Sequence, residues 1–435
     1  MSTVLIVASG LTGLLHATDE AARRLSKAGH TVHYASPLQV KNKLGPHIEE
    51  FHALPARQRR LVPKLARLHP VIRLVAGTVG FSGYRHQAIQ ALAQAPYRDL
   101  LARIRPDIVL VDLELHEYVL TTHAAGVPYL LVSPWFQNVF MEHMPPLTVD
   151  RPPGAAEAKA SGHGPGLRQW SGWAGWQDRR SILLDQARRA GFDSDKLTVA
   201  GWPPPITFRQ VPILHFVLRE MDFPYPVPGY THYVGPMVRA MDWQMVDGRL
   251  RTMVDGARSA GKKIIYASAT TMQAGGQDRA TLFAAAVRSR PDWFLILTGG
   301  GKNDFPTVTE NENVAHFDWV PQTALLTRVD CCINHAGIGT INECVFLGVP
   351  MVIYSGGKHD QPGCTARLRY HGLAVVGERD DSPEAVAGRI EQALTLTELR
   401  RKVARYRDLA RDGAVRDRLV SVVEACLASQ AQSAG

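Results

Sequence analysis

The sequence has few cysteines and no long apolar run, and both shortages exclude classes of protein. Only five of the 435 residues are cysteine, and no two of them form a Cys-x-x-Cys pair. This argues against a disulfide framework or a zinc motif. No stretch reaches the ~18 apolar residues that a transmembrane helix needs. The early apolar run, Val4 to Ala8, lacks the basic head of a secretory signal, so we predict a cytoplasmic protein.

Two ligand-binding patterns are also missing. A nicotinamide-binding fold needs Gly-x-Gly-x-x-Gly after a strand, but after Gly337 and Gly339 the last glycine is replaced by Asn342. There is no Asp-x-Asp pair near these glycines, and we therefore expect no bound metal ion or other cofactor. The basic residues are not interleaved with aromatic residues on one element, so a nucleic-acid-binding protein is the least favoured class.

What the sequence does contain points to a globular protein of more than one domain. A chain of this length exceeds one ordinary core, and 45% hydrophobic with 20% charged residues is typical of a folded protein. The net charge of +9, from 49 basic and 40 acidic residues, suits anionic partners. Because the excess is spread along the chain, an ordinary solvated surface explains it equally well.

The first half of the chain alternates strands and helices. Val4 to Ala8 and Thr31 to Ala35 read as buried strands, and they flank a helix expected from about Thr18 to Ala28. Further on, Ile108 to Val111 reads as a strand that ends in Asp112, followed by a helix and another strand. This alternation predicts a doubly wound α/β domain, in which ligands bind at the ends of the strands.

The richest stretch of the sequence lies in the second half. The apolar run from Val329 to Ile333 predicts a buried strand, and a glycine-bearing turn and a helix follow it. Such a helix N-terminus binds anions, because its free N–H groups and its dipole favour negative charge. Thr340 and Glu343 have the spacing of a capping box. Glu343 could also accept hydrogen bonds from sugar hydroxyls, and the two roles do not exclude each other.

This stretch resembles the donor-binding signature of the UDP-glycosyltransferase family, whose members are two-domain enzymes of the GT-B fold. Its elements occur here in the family's order: Trp319, Gln322, His335, Gly337, Gly339, Thr340, Glu343, Gly348, Val349, Pro350, Asp360 and Gln361. The resemblance implies two Rossmann-like domains facing each other across a cleft. Residues 1–236 would bind the acceptor and 237–408 the nucleotide-sugar donor, and 409–435 would form a helix that crosses back to the first domain.

The resemblance also implies a role for each donor-site residue. Trp319 and the backbone near Val320 would hold the uracil or thymine ring, Gln322 would lie near the ribose, and Glu343 would accept the ribose hydroxyls. His335 with the turn through Gly339 and Thr340 would hold the diphosphate, together with Ser268 and Thr271 of an earlier loop. Asp360 and Gln361 would bind the transferred sugar. The loop Ser355 to His359 departs from the family's pattern, which leaves the identity of the sugar open.

By the same resemblance the enzyme would transfer a hexose from a UDP- or dTDP-sugar with inversion. His16 would be the general base, supported by Asp112. His16 stands two positions later in the chain than the family's histidine, and we expect a loop to absorb this shift. Because of the shift, His116 remains a competing candidate for the base. A helix N-cap is the alternative role for Asp112.

The acceptor is the least patterned part of the sequence. Trp170, Trp173 and Trp176 recur every three residues in a glycine-rich stretch, which suggests a lid for an apolar hydroxyl-bearing molecule, a membrane contact or ordinary packing. An amphipathic segment from Arg57 to Arg73 allows a weak peripheral membrane contact. A sugar-nucleotide epimerase on the same fold and a catalytically weak nucleotide-sugar-binding partner protein remain alternatives to the transferase.

Overall fold

A computed structural model describes residues 1–55, 95–139, 141, 144–154, 174–199, 201–246, 248–268, 276–299 and 311–434. The strands are β1 Thr3–Val7, β2 Thr31–Ser36, β3 Glu50–Ala53, β4 Ile108–Asp112, β5 Tyr129–Ser133, β6 Leu197–Thr198, β7 Thr207–Phe208, β8 Ile213–His215, β9 Thr231–Tyr233, β10 Lys263–Ser268, β11 Trp293–Thr298, β12 Val314–Phe317, β13 Cys331–Asn334, β14 Met351–Ile353 and β15 Ala374–Val376.

The helices lie mainly between these strands. They are α1 Thr12–Lys27, α2 95–104, α3 His116–Ala124, α4 Ala174–Arg189, α5 Gly248–Ser259, α6 Gly276–Arg288, α7 Gln322–Leu325, α8 Ile338–Leu347, α9 Gln361–His371, α10 Pro383–Thr395, α11 Thr397–Arg411 and α12 Gly413–Ala434.

Two separate parallel sheets organise the molecule, which confirms the predicted α/β architecture. The first has seven strands in the order β3-β2-β1-β4-β5-β8-β9, and the second has six in the order β12-β11-β10-β13-β14-β15. Every residue of β4 and of β11 is buried, as expected for a parallel sheet covered by helices on both faces. The short strands β6 and β7 form a separate antiparallel pair.

Each sheet has one point where the strand order reverses. In the first sheet β1 lies beside both β2 and β4, and in the second β10 lies beside both β11 and β13. Ligands of doubly wound folds bind outside the carboxyl ends of the strands at such a point. The segments that follow β1, β4, β10 and β13 are therefore where a site is expected.

The helix α1 begins earlier than the sequence predicts. It starts at Thr12 instead of Thr18, and no side chain caps it, because Leu11 occupies the N-cap position. The apolar face extends to Leu14 and Leu15, which are buried in the core of the first sheet. His16 therefore lies in a helix and not in a loop, and the expectation that a loop absorbs its shifted position is wrong.

The last helix, α12, packs against the first sheet's domain. Leu419 and Val423 belong to the same buried cluster as Val4 and Ala21. The Arg24 guanidinium also donates to the Arg416 carbonyl oxygen at 3.1 Å. Within the described part of the chain, no helix is long and apolar enough to cross a membrane.

Candidate functional site

The two strand-reversal points face each other. A Cβ atom placed on Gly339, in the first turn of α8, would lie 3.7 Å from the Cα atom of Gly13, in the first turn of α1. Two further bonds join the halves nearby: the Gly363 N–H donates to the Leu147 carbonyl oxygen at 2.7 Å, and the Asn342 side-chain amide donates to the Phe216 carbonyl oxygen at 3.0 Å. The cleft is thus bounded by α1 on one side and α8 on the other.

His16 lies on the first turns of α1, just beyond the contact with α8. Its side chain is exposed, so a ligand in the cleft has access to it. The surrounding protein still desolvates the imidazolium enough to lower the pKa of His16 below its usual value, and Asp19 opposes this shift. An imidazole with a lowered pKa is neutral at pH 7, which is the form that accepts a proton.

Asp112 is fully buried at the end of β4 and is engaged by backbone donors. Its carboxylate accepts the N–H of Ser9 at 3.0 Å and the N–H of Glu114 at 3.0 Å. Burial raises the pKa of Asp112, although these hydrogen bonds oppose the rise. No hydrogen bond joins Asp112 to His16 in the described residues. Asp112 instead anchors the loop that precedes α1, and Leu115 takes the N-cap of α3, so the N-cap alternative is wrong.

Asp19 is a neighbour of His16 that the sequence reasoning missed. It lies one turn further along α1, and its carboxylate accepts the Gly45 N–H at 2.9 Å and contacts His47 at 3.0 Å. The spacing of three residues on one helix would have revealed the pair, but only if the helix had been predicted to begin before His16.

His116 is the weaker candidate for the base. Its side chain is 1% exposed, and its Nε2 atom is 2.8 Å from the Ile206 carbonyl oxygen. Burial lowers the pKa of His116 to about 4. A histidine enclosed in this way has no surface with which to contact an acceptor.

Trp319, the residue predicted to hold the uracil or thymine ring of the donor, is exposed to solvent. Trp319 lies in the turn between β12 and α7 and is 75% exposed, whereas the adjacent Val320 is buried. A tryptophan of this exposure is unusual for a folded protein, and it offers a flat surface on which a nucleobase can stack.

Gln322, Thr340 and Glu343 meet at the start of α8. The Gln322 side-chain amide donates to the Thr340 hydroxyl at 3.3 Å and to the Glu343 carboxylate. Burial raises the pKa of Glu343 to about 7, and the bond from Gln322 opposes the rise. The helix begins at Ile338 with Gly337 at its N-cap, so the capping-box reading of Thr340 and Glu343 is wrong.

His335 is buried in the turn between β13 and α8. Burial lowers its pKa to about 4, so its imidazole is neutral at pH 7. A Cβ atom on Gly337 would lie 2.6 Å from the His335 Nε2 atom, so any larger residue would push the imidazole aside. Ala336 between them has a φ of 66°, and its N–H donates to the Asn334 side chain at 2.9 Å. A strained turn of this kind is typical of ligand sites.

Asp360 and Gln361 stand at the N-terminus of α9, against the first domain. Burial raises the pKa of Asp360 to about 6, and a hydrogen bond from the Trp135 side chain opposes that rise. Trp135 belongs to the first domain and was not singled out from the sequence. It packs edge-on against Trp202 at 6.0 Å, and Trp202 lies 5.3 Å from His359. Asp360 and Gln361, which are predicted to bind the transferred sugar, therefore lie against an aromatic group from the opposite side of the cleft.

Several predicted residues give less information. Ser268 is buried at the end of β10, at the strand-reversal point. Thr271, Trp170, Trp173 and the segment from Arg57 to Arg73 lie outside the described residues. Trp176 is in α4, but its side chain is not described.

One cluster of potential metal ligands occurs in the described part of the chain, away from the cleft. It joins His33, Glu50 and His52 on the adjacent strands β2 and β3. The His33 Nδ1 and His52 Nε2 atoms are 3.1 Å apart, and the ring centroids are 5.4 Å apart. These two distances fit nitrogens that point directly at each other. Such an arrangement is an N–H···N hydrogen bond, because two ligands of one ion must converge on a point beside them.

Comparisons with known proteins agree with this geometry. The family described as UDP-glucoronosyl and UDP-glucosyl transferase matches residues 209–378. Zeaxanthin glucosyltransferase of Pantoea ananas is 22% identical over 94% of this chain and 93% of its own. The PGL/p-HBAD biosynthesis rhamnosyltransferase of Mycobacterium tuberculosis is 24% identical over 89% and 85%, respectively. The crystal structure of the glycotransferase of kitacinnamycin superposes with a TM-score of 0.69, at 18% identity, over 98% of this chain and 99% of that one.

The chain has the GT-B fold of solved glycosyltransferases, and its second half carries the match to the UDP-glycosyltransferase family. Its matched segment contains β10 to β15 and the cluster of Gln322, His335 and Glu343. The protein is accordingly a glycosyltransferase enzyme, which uses a nucleotide-sugar donor and a small-molecule acceptor.

Proposed function

We propose that the enzyme transfers a hexose from a UDP- or dTDP-sugar to a hydroxyl of a hydrophobic natural product, with inversion at the anomeric carbon. The observation that carries the proposal is the close approach of Gly13 to Gly339. It brings the helix that bears His16 against the helix whose N-terminus would hold the diphosphate. An acceptor hydroxyl beside His16 would then face a sugar bound at α8.

The reaction is a single in-line displacement. The acceptor oxygen forms a bond to the anomeric carbon while the bond from that carbon to the diphosphate oxygen breaks. The acceptor proton passes to the neutral imidazole of His16, and the bonding electrons leave with the nucleoside diphosphate. Asp112 supports this step indirectly, because its bond to the Ser9 N–H fixes the loop that leads into α1.

The leaving diphosphate is stabilised by fixed donors. The N-terminus of α8 offers backbone N–H groups and the positive end of a helix dipole. His335 is neutral at pH 7 because burial lowers its pKa, so it would act as a hydrogen-bond donor and not as a cation. Such pre-oriented dipoles need no reorganisation as the charge develops.

The mouth of the cleft favours an apolar acceptor. Leu11, directly before α1, is 56% exposed, and Leu38, after β2, is 41% exposed. The backbone at Gly10 brings them together, since a Cβ atom there would lie 3.0 Å from the Cβ atom of Leu38. The names of the two relatives give glucose transfer to zeaxanthin and rhamnose transfer in PGL/p-HBAD biosynthesis, which supports a glycosylated natural product here.

The purified protein tests this proposal in two assays. Calorimetry with UDP and with dTDP should show binding of at least one of them. A panel of UDP- and dTDP-sugars against hydrophobic alcohols, read by mass shift, should give a glycosylated product, and its NMR spectrum should show the inverted anomer. A product with retained configuration would exclude the single displacement.

We expect donor affinity to depend on pH through Glu343. Because burial raises its pKa to about 7, Glu343 is protonated below that pH and ionised above it. The ionised carboxylate is the better acceptor of ribose hydroxyls, so affinity should fall as the pH drops below 7, by up to about tenfold per unit. Calorimetry between pH 6 and pH 8 measures this, with a UDP-sugar whose diphosphate has no titrating group in that range.

Glu343→Gln is the matched control for this pH dependence. The variant keeps the shape of the side chain and has no charge to lose. Its affinity should therefore be weaker than that of the wild type at pH 8 and flat between pH 7 and pH 8, where Asp360, with a pKa raised to about 6, is mostly ionised. A wild-type affinity that does not change between pH 6 and pH 8 would contradict the assignment of Glu343 to the ribose.

We further propose that transfer needs no divalent cation. The charge of the leaving group would be met by His335 and by the N-terminus of α8. Activity in excess EDTA should therefore equal activity in added Mg²⁺ or Mn²⁺, measured at the same ionic strength. Loss of activity in EDTA that Mg²⁺ restores would refute this point.

A further inference from the structure

A buried tyrosine lies beneath the residues predicted to bind the ribose. Tyr266 is in β10, with 1% of its surface exposed. Its hydroxyl donates to the Oε1 atom of Gln322 at 2.8 Å, and it is 3.1 Å from the Thr298 hydroxyl. Thr298 is the last residue of β11, the strand that pairs with β10. The hydroxyl is thus held in place by the side chains of Gln322 and Thr298, and it also hydrogen-bonds Ser268.

This bond determines which way the Gln322 amide points. The Thr298 hydroxyl donates to the Tyr266 oxygen, which leaves the single phenol proton to donate to Gln322, so the Oε1 atom of the amide faces Tyr266. The Nε2 atom then faces the opposite way, where it donates to the Thr340 hydroxyl at 3.3 Å and to the Glu343 carboxylate. With the amide reversed, its oxygen would face the carboxylate oxygen, and the two would repel.

We propose that Tyr266 is a positioning residue for donor binding, which orients the Gln322 amide so that the amide holds Glu343 ready for the ribose hydroxyls. This inference rests on the proposed function of the site, since it assumes that Gln322 and Glu343 contact the nucleotide. Tyr266 itself is buried and acts through Gln322, to which its hydroxyl donates.

The test is the binding of UDP to Tyr266→Phe at pH 8, where Glu343 is ionised. Removing one buried hydrogen bond and freeing the amide to reverse should weaken UDP binding by about tenfold. The KM for the acceptor and kcat at saturating donor should stay within about twofold of wild type. The loss should be smaller at pH 6, because a protonated Glu343 can donate to a reversed amide.

Tyr97→Phe is the matched control. Tyr97 is also a fully buried tyrosine, and its hydroxyl lies 2.9 Å from the Thr122 hydroxyl in the first domain. It should lose a similar amount of stability without any change in UDP affinity. Thermal melting of both variants verifies that the proteins are folded.

A double-mutant cycle with Gln322→Ala separates positioning from a general structural role. If Tyr266 acts through Gln322, Tyr266→Phe should cause no further loss of UDP affinity once Gln322 is alanine. Additive losses would overturn the inference, as would a Tyr266→Phe variant that binds UDP as tightly as wild type. Gln322→Ala alone removes the other partner of the same contact, and this variant must also bind UDP more weakly than the wild type.

The failure of this inference and the failure of the proposed function are distinguishable. Wild-type protein that binds neither UDP nor dTDP would overturn both. Wild-type protein that binds UDP, with an unaffected Tyr266→Phe variant, would overturn only the role of Tyr266.

Discussion

Replacing His16 with alanine is expected to lower kcat by about 10²- to 10⁴-fold, the range for a positioned acid–base group. His16 is exposed in the cleft, and its lowered pKa keeps the imidazole neutral at pH 7. Without it, the acceptor hydroxyl must lose its proton to water. The dissociation constant for UDP should change little, because the predicted nucleotide contacts all lie on the other side of the cleft. Steady-state kinetics with saturating donor and acceptor measure the loss.

His123→Ala is a suitable control for this variant. His123 is also on a helix of the first domain, part-buried at the end of α3, and it lines a cavity beside the start of β5. Its replacement should leave kcat within about twofold. If His16→Ala turned over at a normal rate, the base would have to be another group or the acceptor itself.

The pH profile of kcat provides a second reading of His16. The pKa of His16 is lowered, so kcat should remain high somewhat below pH 6.5 and fall only as the imidazole takes up a proton. This acid limb should disappear in the alanine variant. The measurement uses saturating donor, so that a change in donor affinity through Glu343 does not alter the rate, and kcat then reports groups in the bound complex.

The relative placement of the residues predicted to bind the donor could be inferred from the sequence, because these residues follow one another closely in the chain. His335 comes directly after β13, Gly337 caps α8, and Glu343 lies one turn into the same helix. A strand, a glycine turn and a helix N-terminus determine where such side chains point. Their relative positions are therefore local properties, and a motif conveys them.

The first half of the site was harder to predict because its contacts are not local. The helix α1 has no side-chain cap at Leu11, so no capping residue marks its early start. Trp135 reaches Asp360 from the other domain. Asp112 bonds Ser9 across more than a hundred residues. Pairings of this kind depend on how two sheets pack, and no periodicity in either segment announces them.

The largest effect on stability is expected where a buried ion pair joins the two domains. Arg367 of α9 donates to the Asp222 carboxylate at 2.6 Å, and both side chains are almost fully buried. Asp222 also accepts the Tyr233 hydroxyl at 2.5 Å and the Gln137 N–H at 2.9 Å. Burial alone would raise the pKa of Asp222, but the Arg367 charge and these bonds lower it. The carboxylate is therefore ionised, and the guanidinium depends on it.

Asp222→Asn should destabilise the protein by about 3–5 kcal/mol, because it leaves a buried guanidinium without its counter-charge. Arg367→Met should cost less, since a stranded carboxyl can take up a proton whereas an arginine cannot lose one. The exposed pair of Glu398 and Arg401 provides the control, and Glu398→Gln should cost less than about 1 kcal/mol. Midpoints of urea unfolding at pH 7 give the comparison, followed by fluorescence and by circular dichroism.

The order of these variants distinguishes an ion pair that holds the domains together from one that merely fills space. Arg367 lies on α9, the helix that begins at Gln361 directly after Asp360, and it joins that helix to the first domain. Loss of the pair should therefore separate the fluorescence and circular-dichroism transitions, because the domains no longer unfold together. If Asp222→Asn and Glu398→Gln had the same midpoint of urea unfolding, the buried ion pair would not stabilise the contact between the domains. If Arg367→Met were the more damaging change, the contact of the guanidinium with the Phe223 ring, whose centroid lies 4.4 Å from it, would outweigh the loss of the counter-charge in Asp222→Asn.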